Sequence, residues 1–318
     1  MRFKNIALVY ECDDATLTCA ATLARHHRAR LTLVHVITRV PDAVATFDAN
    51  GRSVDVRALI YRDRQSALRE AARSIVGSGV RPRTRLLIGE PFIEIIRDVA
   101  AHDRDLVVMT ADGHRGLRRR LLGSTASHLV RKCPVPVLVV KPGKRGRFQR
   151  VAVAVDPGTT EAPQADLNRR LLELGGEVAE RDNAELHVVH AWQLLGEAML
   201  RGRGGLSEAE VSDLLTRELA MRRAALEPLL RPCAMRHPHL HLLKGHAPDV
   251  VPRFVERERI DLLVMGSVSR TGIAGVIIGN TAERILDAVQ CSLLVVKPEG
   301  FVSPVMSSVS AALPPASR

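Results

Sequence analysis

Asp105–Val130 reads DLVVMTADGHRGLRRRLLGSTASHLV and Asp261–Leu286 reads DLLVMGSVSRTGIAGVIIGNTAERIL, an offset of 156 residues. Each stretch runs from a short apolar segment through a loop of small residues to a glycine that opens a helical pattern. The same offset carries Gly89 onto Gly245, Gly123 onto Gly279 and LVVKP (Leu138–Pro142) onto LVVKP (Leu294–Pro298). Upstream, IALVYE ending at Glu11 matches VAVAVD ending at Asp156 at offset 145, and TLVHV around His35 matches HVVHA around His190 at offset 155. Self-similarity at a fixed period marks repeated architecture. An αβ domain of about 145 residues is therefore duplicated along the 318-residue chain, with insertions in the second copy.

Within each half the apolar runs are short and rich in β-branched residues. The first half has Ile6–Tyr10, Leu31–Ile37, Arg85–Ile88, Leu106–Met109 and Val135–Val140; the second has Val151–Val155, Leu186–Ala191, His239–Leu243, Leu262–Met265 and Leu293–Val296. Continuous Val/Leu/Ile runs without strict alternation suit strands covered on both faces, as in a parallel sheet. Between them Leu122, Ala126, Leu129, Val130 and Cys133 take helical spacing, and Ile278, Ala282, Ile285, Leu286 and Val289 repeat it. Strand–helix alternation predicts two tandem doubly wound α/β domains, each on a five-stranded parallel sheet. The domains are placed at residues 1–143 and 151–300. The charged, glycine-bearing stretch at 144–150 is the linker, and the Ser/Pro/Ala-rich 301–318 is expected to be a disordered tail.

Lys and Arg number 46 against 35 Asp and Glu, a formal charge of +11, while 46% of residues are apolar. That apolar fraction excludes a wholly disordered chain. The charge admits nucleic acid, anionic lipid or a phosphate-bearing small molecule. Specific nucleic-acid recognition is not expected. The arginines are dispersed, aromatics are only 3% of residues, too few for stacking platforms, and no helix-turn-helix or zinc-finger pattern occurs. Cys12, Cys19, Cys133, Cys233 and Cys291 form no CxxC, which fits a reducing compartment. The apolar start Ile6–Tyr10 is too short for a signal-peptide core, and no run approaches the roughly 18 residues of a membrane span. A cytoplasmic location is expected, with no membrane partner.

The loop after the fourth strand carries the chemistry. Glycine lets backbone approach a ligand closely, and a helix N-terminus offers free N–H groups and a positive dipole end. Together they suit phosphates, at the carboxyl edge where doubly wound sheets bind ligands. Glu11 and Asp156 end the first strands at that edge, where an acid accepts hydrogen bonds from a ribose or adenine.

The order strand–acid, LHVVH, glycine loop, helix and LVVKP resembles the universal stress proteins, over nearly residues 1–300, and the two copies resemble the tandem UspE-type branch. The resemblance implies a pseudo-two-fold pairing of the domains through their fifth strands, with further homodimerisation left open. It implies a stress-response binding module, and ATP or another adenine nucleotide as cofactor, with Mg²⁺ only where ATP is bound. ATP-binding members share G-x2-G-x9-G-[S/T] and an Asp after the first strand. In the first half those positions are Thr110, Gly113, Gly123 and Ser124, with Glu11 as the acid. In the second they are Gly266, Ser269, Gly279 and Asn280, with Asp156. Each half departs at two of five positions, and at complementary ones. The resemblance also places Val34 and Thr125, and Val189, Met265, Arg270 and Thr281, beside these pockets. The second half is favoured, because Asp156, Gly266 and Gly279 survive there. Thr110 is expected to set a β-branched side chain in ligand space.

Other features read more plainly. His237, His239 and His241 fall on one face of an extended run, yet no carboxylate or thiol stands at matching spacing, so no metal site is assigned. His35 and His190 are expected to be hydrogen-bonded structural histidines. Arg115, Arg118, Arg119 and Arg120 form a solvated loop, with at most one on a phosphate, and Cys291 is a small packing residue. No G-x-S-x-G, P-loop or HExxH occurs and no catalytic residue is assigned, so an enzyme is not expected. The leading function is a nucleotide-responsive regulatory module. A non-nucleotide interaction protein with degenerate pockets is the alternative, and a weak ATPase ranks last.

Overall fold

The computed structural model describes residues 3–38, 45–47, 53–111, 122–141, 147–157, 162–202, 205–231, 237–267 and 279–306. They divide into two compact units, residues 2–147 with 300–318, and residues 148–299.

The first unit contains β1 (Asn5–Val9), α1 (Asp14–His27), β2 (Arg30–Ile37), β3 (Ala45–Phe47), β4 (Ser53–Asp55), α2 (Val56–Ser74), β5 (Arg83–Ile88), α3 (Pro91–Ala101), β6 (Leu106–Thr110), α4 (Ser124–Lys132) and β7 (Val137–Val140). Its main sheet has the order β7-β6-β1-β2-β5, all parallel. The second contains β8 (Arg150–Ala154), α5 (Ala162–Asp182), β9 (Glu185–Trp192), α6 (Glu197–Gly202), α7 (Glu208–Leu230), β10 (His239–Lys244), α8 (Ala247–Arg257), β11 (Leu262–Gly266), α9 (Asn280–Ala288) and β12 (Ser292–Val296). Its sheet has the order β10-β9-β8-β11-β12, again parallel. All ten expected strands are present in the expected doubly wound order.

The apolar runs are strands because both faces are covered. Every residue of β1, β6, β7 and β12 except Ser292 and Thr110 is apolar or Asn5, and all are buried. The repeated aspartate that begins each opening stretch has a mechanical role. Asp105 accepts from the amides of Lys4 and Asn5, and Asp261 from those of Gln149 and Arg150. Each thereby ties the start of the fourth strand to that of the first. Glycine is required at Gly89 and Gly245, where φ is +146° and +139° and an added Cβ would lie 2.9 Å from Glu94 Cγ and 2.4 Å from Val250 Cγ1. The duplication thus persists as backbone conformation.

Four features depart from the sequence expectation. The antiparallel pair β3–β4 and the short helix α6 have no apolar signature to announce them. The end of the expected linker belongs to the second unit, since Phe148 is buried at 1% exposure and Arg150 begins β8. The segment expected to be a disordered tail begins with placed residues. Ser303 and Val305 are buried in the first unit, and the amide of Met306 donates to the Ser303 carbonyl at 3.0 Å. Among the described residues no helix is long and apolar enough to cross a membrane.

Candidate functional site

The second unit holds a cleft of about 1340 Å³ at the carboxyl ends of its strands. Asp156 follows β8 and is fixed through its backbone. Asn168 of α5, buried, accepts from the Asp156 amide at 3.1 Å and donates to its carbonyl at 2.8 Å. Gly266 ends β11, and an added Cβ there would lie 2.8 Å from Leu167 Cδ2, so glycine lets α5 approach the strand. Beyond it, the Ser267 carbonyl accepts the Gly279 amide at 2.9 Å, and buried Lys297 donates to the Ser267 hydroxyl. The ends of the glycine loop are therefore closed on each other.

Gly279 is the N-cap of α9, and the first helical bond is Glu283 N–H to the Gly279 carbonyl at 3.0 Å. The amides of Asn280, Thr281 and Ala282 have no acceptor among the described residues. They face an end of the helix that favours anions. The cleft brings together Asp156, Val189, Met265, Gly266, Gly279, Asn280 and Thr281 of the expected residues. Ser269 and Arg270 lie outside the described residues.

The opposite wall was not legible in the sequence. It includes Trp192, Arg201, Arg222 and Lys244. Glu197 of α6 accepts from Lys244 Nζ at 2.7 Å and Arg201 Nε at 3.2 Å. Lys244 first, and Arg201 after it, hold the Glu197 carboxyl below its ordinary range. Asn168 was also missed. Its only signal is a polar residue amid the buried positions Leu167, Leu171 and Leu172 of a helix.

In the first unit Glu11 is exposed beyond β1, while Val34 is buried with its carbonyl accepting the Tyr10 amide at 2.9 Å. Gly123 caps α4, with Ser124 exposed and Thr125 half-buried behind it. Gly113, Arg115, Arg118, Arg119 and Arg120 lie outside the described residues. The expectation for Thr110 is corrected. Its side chain is buried and its hydroxyl donates to Thr16 Oγ1 of α1 at 3.1 Å, so it is committed to helix packing. His35 Nδ1 meets the Tyr10 carbonyl at 2.9 Å and His190 Nδ1 the Val155 carbonyl at 3.1 Å, in structural roles.

The histidine face of β10 also differs from expectation. His237 precedes the strand with φ +46°, and its place is taken by His187 of β9. The ring of His187 lies 5.2 Å from those of His239 and His241, and its Nδ1 is 3.0 Å from His241 Nε2. Among the described residues no group of three His, Cys, Asp or Glu is arranged to hold a metal.

Comparison with known proteins agrees with this architecture. The sequence model described as "Universal stress protein family" matches residues 2–141 and 147–297. The chain is 29% identical to universal stress protein E of Escherichia coli K12 over 248 residues, covering 77% of this chain and 78% of that one. Against universal stress protein E of Photorhabdus laumondii it is 25% identical over 312 residues, covering 96% and 98%. A solved structure of a functionally unknown protein from Pseudomonas aeruginosa PAO1 has the same fold, with a TM-score of 0.73 at 21% identity, covering 97% and 98%. Other universal stress proteins solved in complex with cAMP and with dAMP give TM-scores of 0.33 and 0.32, too low to carry either ligand over to this chain. The family match extends over both units, so the chain belongs to the universal stress protein family as a tandem, two-domain member.

Proposed function

We propose that the second unit's cleft binds an adenine nucleotide, ATP or a relative of it, and that the chain is a stress-response regulatory module whose state follows occupancy of that cleft. The observation that carries this is the convergence of Asp156, Val189, Met265 and Gly266 with the amides at the start of α9 that have no acceptor among the described residues. Val189 and Met265 offer apolar surface for a base, and Asp156 is an acceptor for ribose or adenine donors. The three amides and the positive end of α9 receive phosphate oxygens. If the nucleotide is ATP, Mg²⁺ would come with the phosphates, because that ion is held mainly by phosphate and water oxygens. No residue is assigned as a general base.

Denaturing the purified protein and chromatographing what is released tests for a resident nucleotide. Calorimetric titration with ATP–Mg²⁺ then measures binding directly. Gly279→Val is expected to abolish binding, by pushing a branched side chain against the phosphate position, while Gly123→Val leaves it unchanged. Absence of both co-purified nucleotide and heat at millimolar ATP would sink the proposal and favour a non-nucleotide interaction protein.

A further inference from the structure

We propose that a second cleft, at the amino ends of β1, β2 and β5 in the first unit, binds a small inorganic diphosphate-type oxyanion. It lies at the sheet edge opposite the glycine loop of that unit, has a volume of about 340 Å³, and is lined by Arg30, Arg83, Arg85 and Arg104 with Thr32 and Thr84. Two of these arginines are built into the fold. Arg104 is 7% exposed and donates through Nε to Asp98 Oδ2 at 3.1 Å, and through Nη1 to Asn5 Oδ1 at 2.8 Å and Thr32 Oγ1 at 2.7 Å. Its Nη2 makes no hydrogen bond among the described residues and is not sealed from the cleft. Arg85 pairs through Nε with Asp98 Oδ1 at 2.7 Å, and its Nη1 meets His102 Nε2 at 2.9 Å.

The charge does not balance. Asp98 is shared by Arg85 and Arg104, and Asp103 is the other carboxylate at the cleft. Asp105 is occupied by the amides of Lys4 and Asn5. Arg30 and Arg83 have no carboxylate partner among the described residues, so the cleft keeps an excess of positive charge. Guanidinium forks with hydroxyl donors match phosphate oxygens. The volume is about a quarter of the second unit's cleft, enough for two phosphate groups, and it is the four guanidinium groups rather than the size that select for an oxyanion.

The duplication shows that the fold does not require these arginines. In strand register Thr32 pairs with Arg83, as His187 pairs with His239 in the second unit. The repeat offsets then replace Arg30 by Glu185, Arg85 by His241, Asp98 by Phe254 and Arg104 by Ile260. The second unit closes the same place with Phe254, its ring 4.6 Å from that of His241. A domain that closes on rings in one copy has no structural need for four guanidinium groups in the other.

The test titrates inorganic pyrophosphate into the full chain at fixed ionic strength, by calorimetry and by thermal unfolding. Wild type is expected to bind saturably and to gain thermal stability. Arg30→Gln with Arg83→Gln should keep its ligand-free melting temperature and lose at least tenfold in affinity, because neither side chain is part of the anchored network. Gly279→Val should bind pyrophosphate as wild type does, which separates this site from the second unit's cleft. Heat no different from a sulfate control, or pyrophosphate binding that survives the double substitution intact, would overturn the proposal.

Discussion

Asn168 holds Asp156 from both sides of one residue, accepting from its amide and donating to its carbonyl. Asn168→Ala removes two hydrogen bonds to the half-buried backbone of Asp156, a loss of about 0.5–1.5 kcal/mol for each. It also removes the side chain that fixes the backbone of Asp156, the acid that the proposed nucleotide needs in place. Urea unfolding should show a lower midpoint with unchanged slope, and calorimetry a loss of nucleotide affinity. Gly175 makes a different demand. A Cβ there would lie 2.3 Å from Val153 Cγ2, so Gly175→Ala forces α5 off β8 and should cost about 1–3 kcal/mol by overpacking, read from the same curves. Residues of the first kind are hard to read from sequence, because Asn168 acts across a turn whose path no local pattern states. The pairs Gly89/Gly245 and Gly123/Gly279 are easier to find, since they repeat at one offset, whereas Gly175 stands opposite Ala20 or Cys19 in the first copy and what it makes room for is visible only in three dimensions.

At the scale of elements, the edge pair β9–β10 carries a titrating cluster. Burial pushes the His187 imidazole below its ordinary 6.5, and neighbouring His239 adds to this. Burial does the same to His241, reinforced by His187, His239 and Arg257, while Glu258 opposes the shift. Glu185 opposes it at His187. The native state therefore favours neutral rings, and the unfolded chain binds more protons as pH falls past 6.5. Stability is fully present above that value and declines as pH falls towards the depressed native values. Melting temperatures measured from pH 7.5 down to 5.5, read against roughly 6.5 for free histidine, should fall in this window. His241→Leu should flatten the decline. The inner strands were legible because they are buried on both faces and so are apolar along their length, whereas the edge strands β5 and β10, exposed or half-buried throughout, were legible only from their short apolar stretches and from the repeat. The pair β3–β4, helix α6 and the linker boundary were not, because three-residue strands and a six-residue helix carry too few apolar positions to form a period.

For the whole molecule, the duplication was the decisive signal, and it predicted more than the fold. Equivalent positions keep the same backbone, with φ of +51° at Arg28 and +54° at Asn183, while the side chains have diverged. That divergence hid the arginine and histidine clusters, which look unrelated until the strand registers are superposed. The excess charge of +11 is a property of the chain at large. It should bring retention on duplex DNA at low ionic strength, without sequence preference, and elution by about 200 mM salt, since phosphate contacts weaken steeply with added counterion. A sequence-dependent affinity in competition assays would contradict this.

The hydrogen bond from the Gly279 amide to the Ser267 carbonyl has a consequence for how such a protein can be altered. Ser267 and Gly279 are cinched together and Ser267 is held by Lys297, so the anchor points on either side of residues 268–278 are fixed by contacts of their own. Exchange of residues 268–278 for the corresponding stretch of another member of the family is therefore expected to leave the melting temperature unchanged while altering ligand affinity. Ligand preference and fold stability then become separately editable.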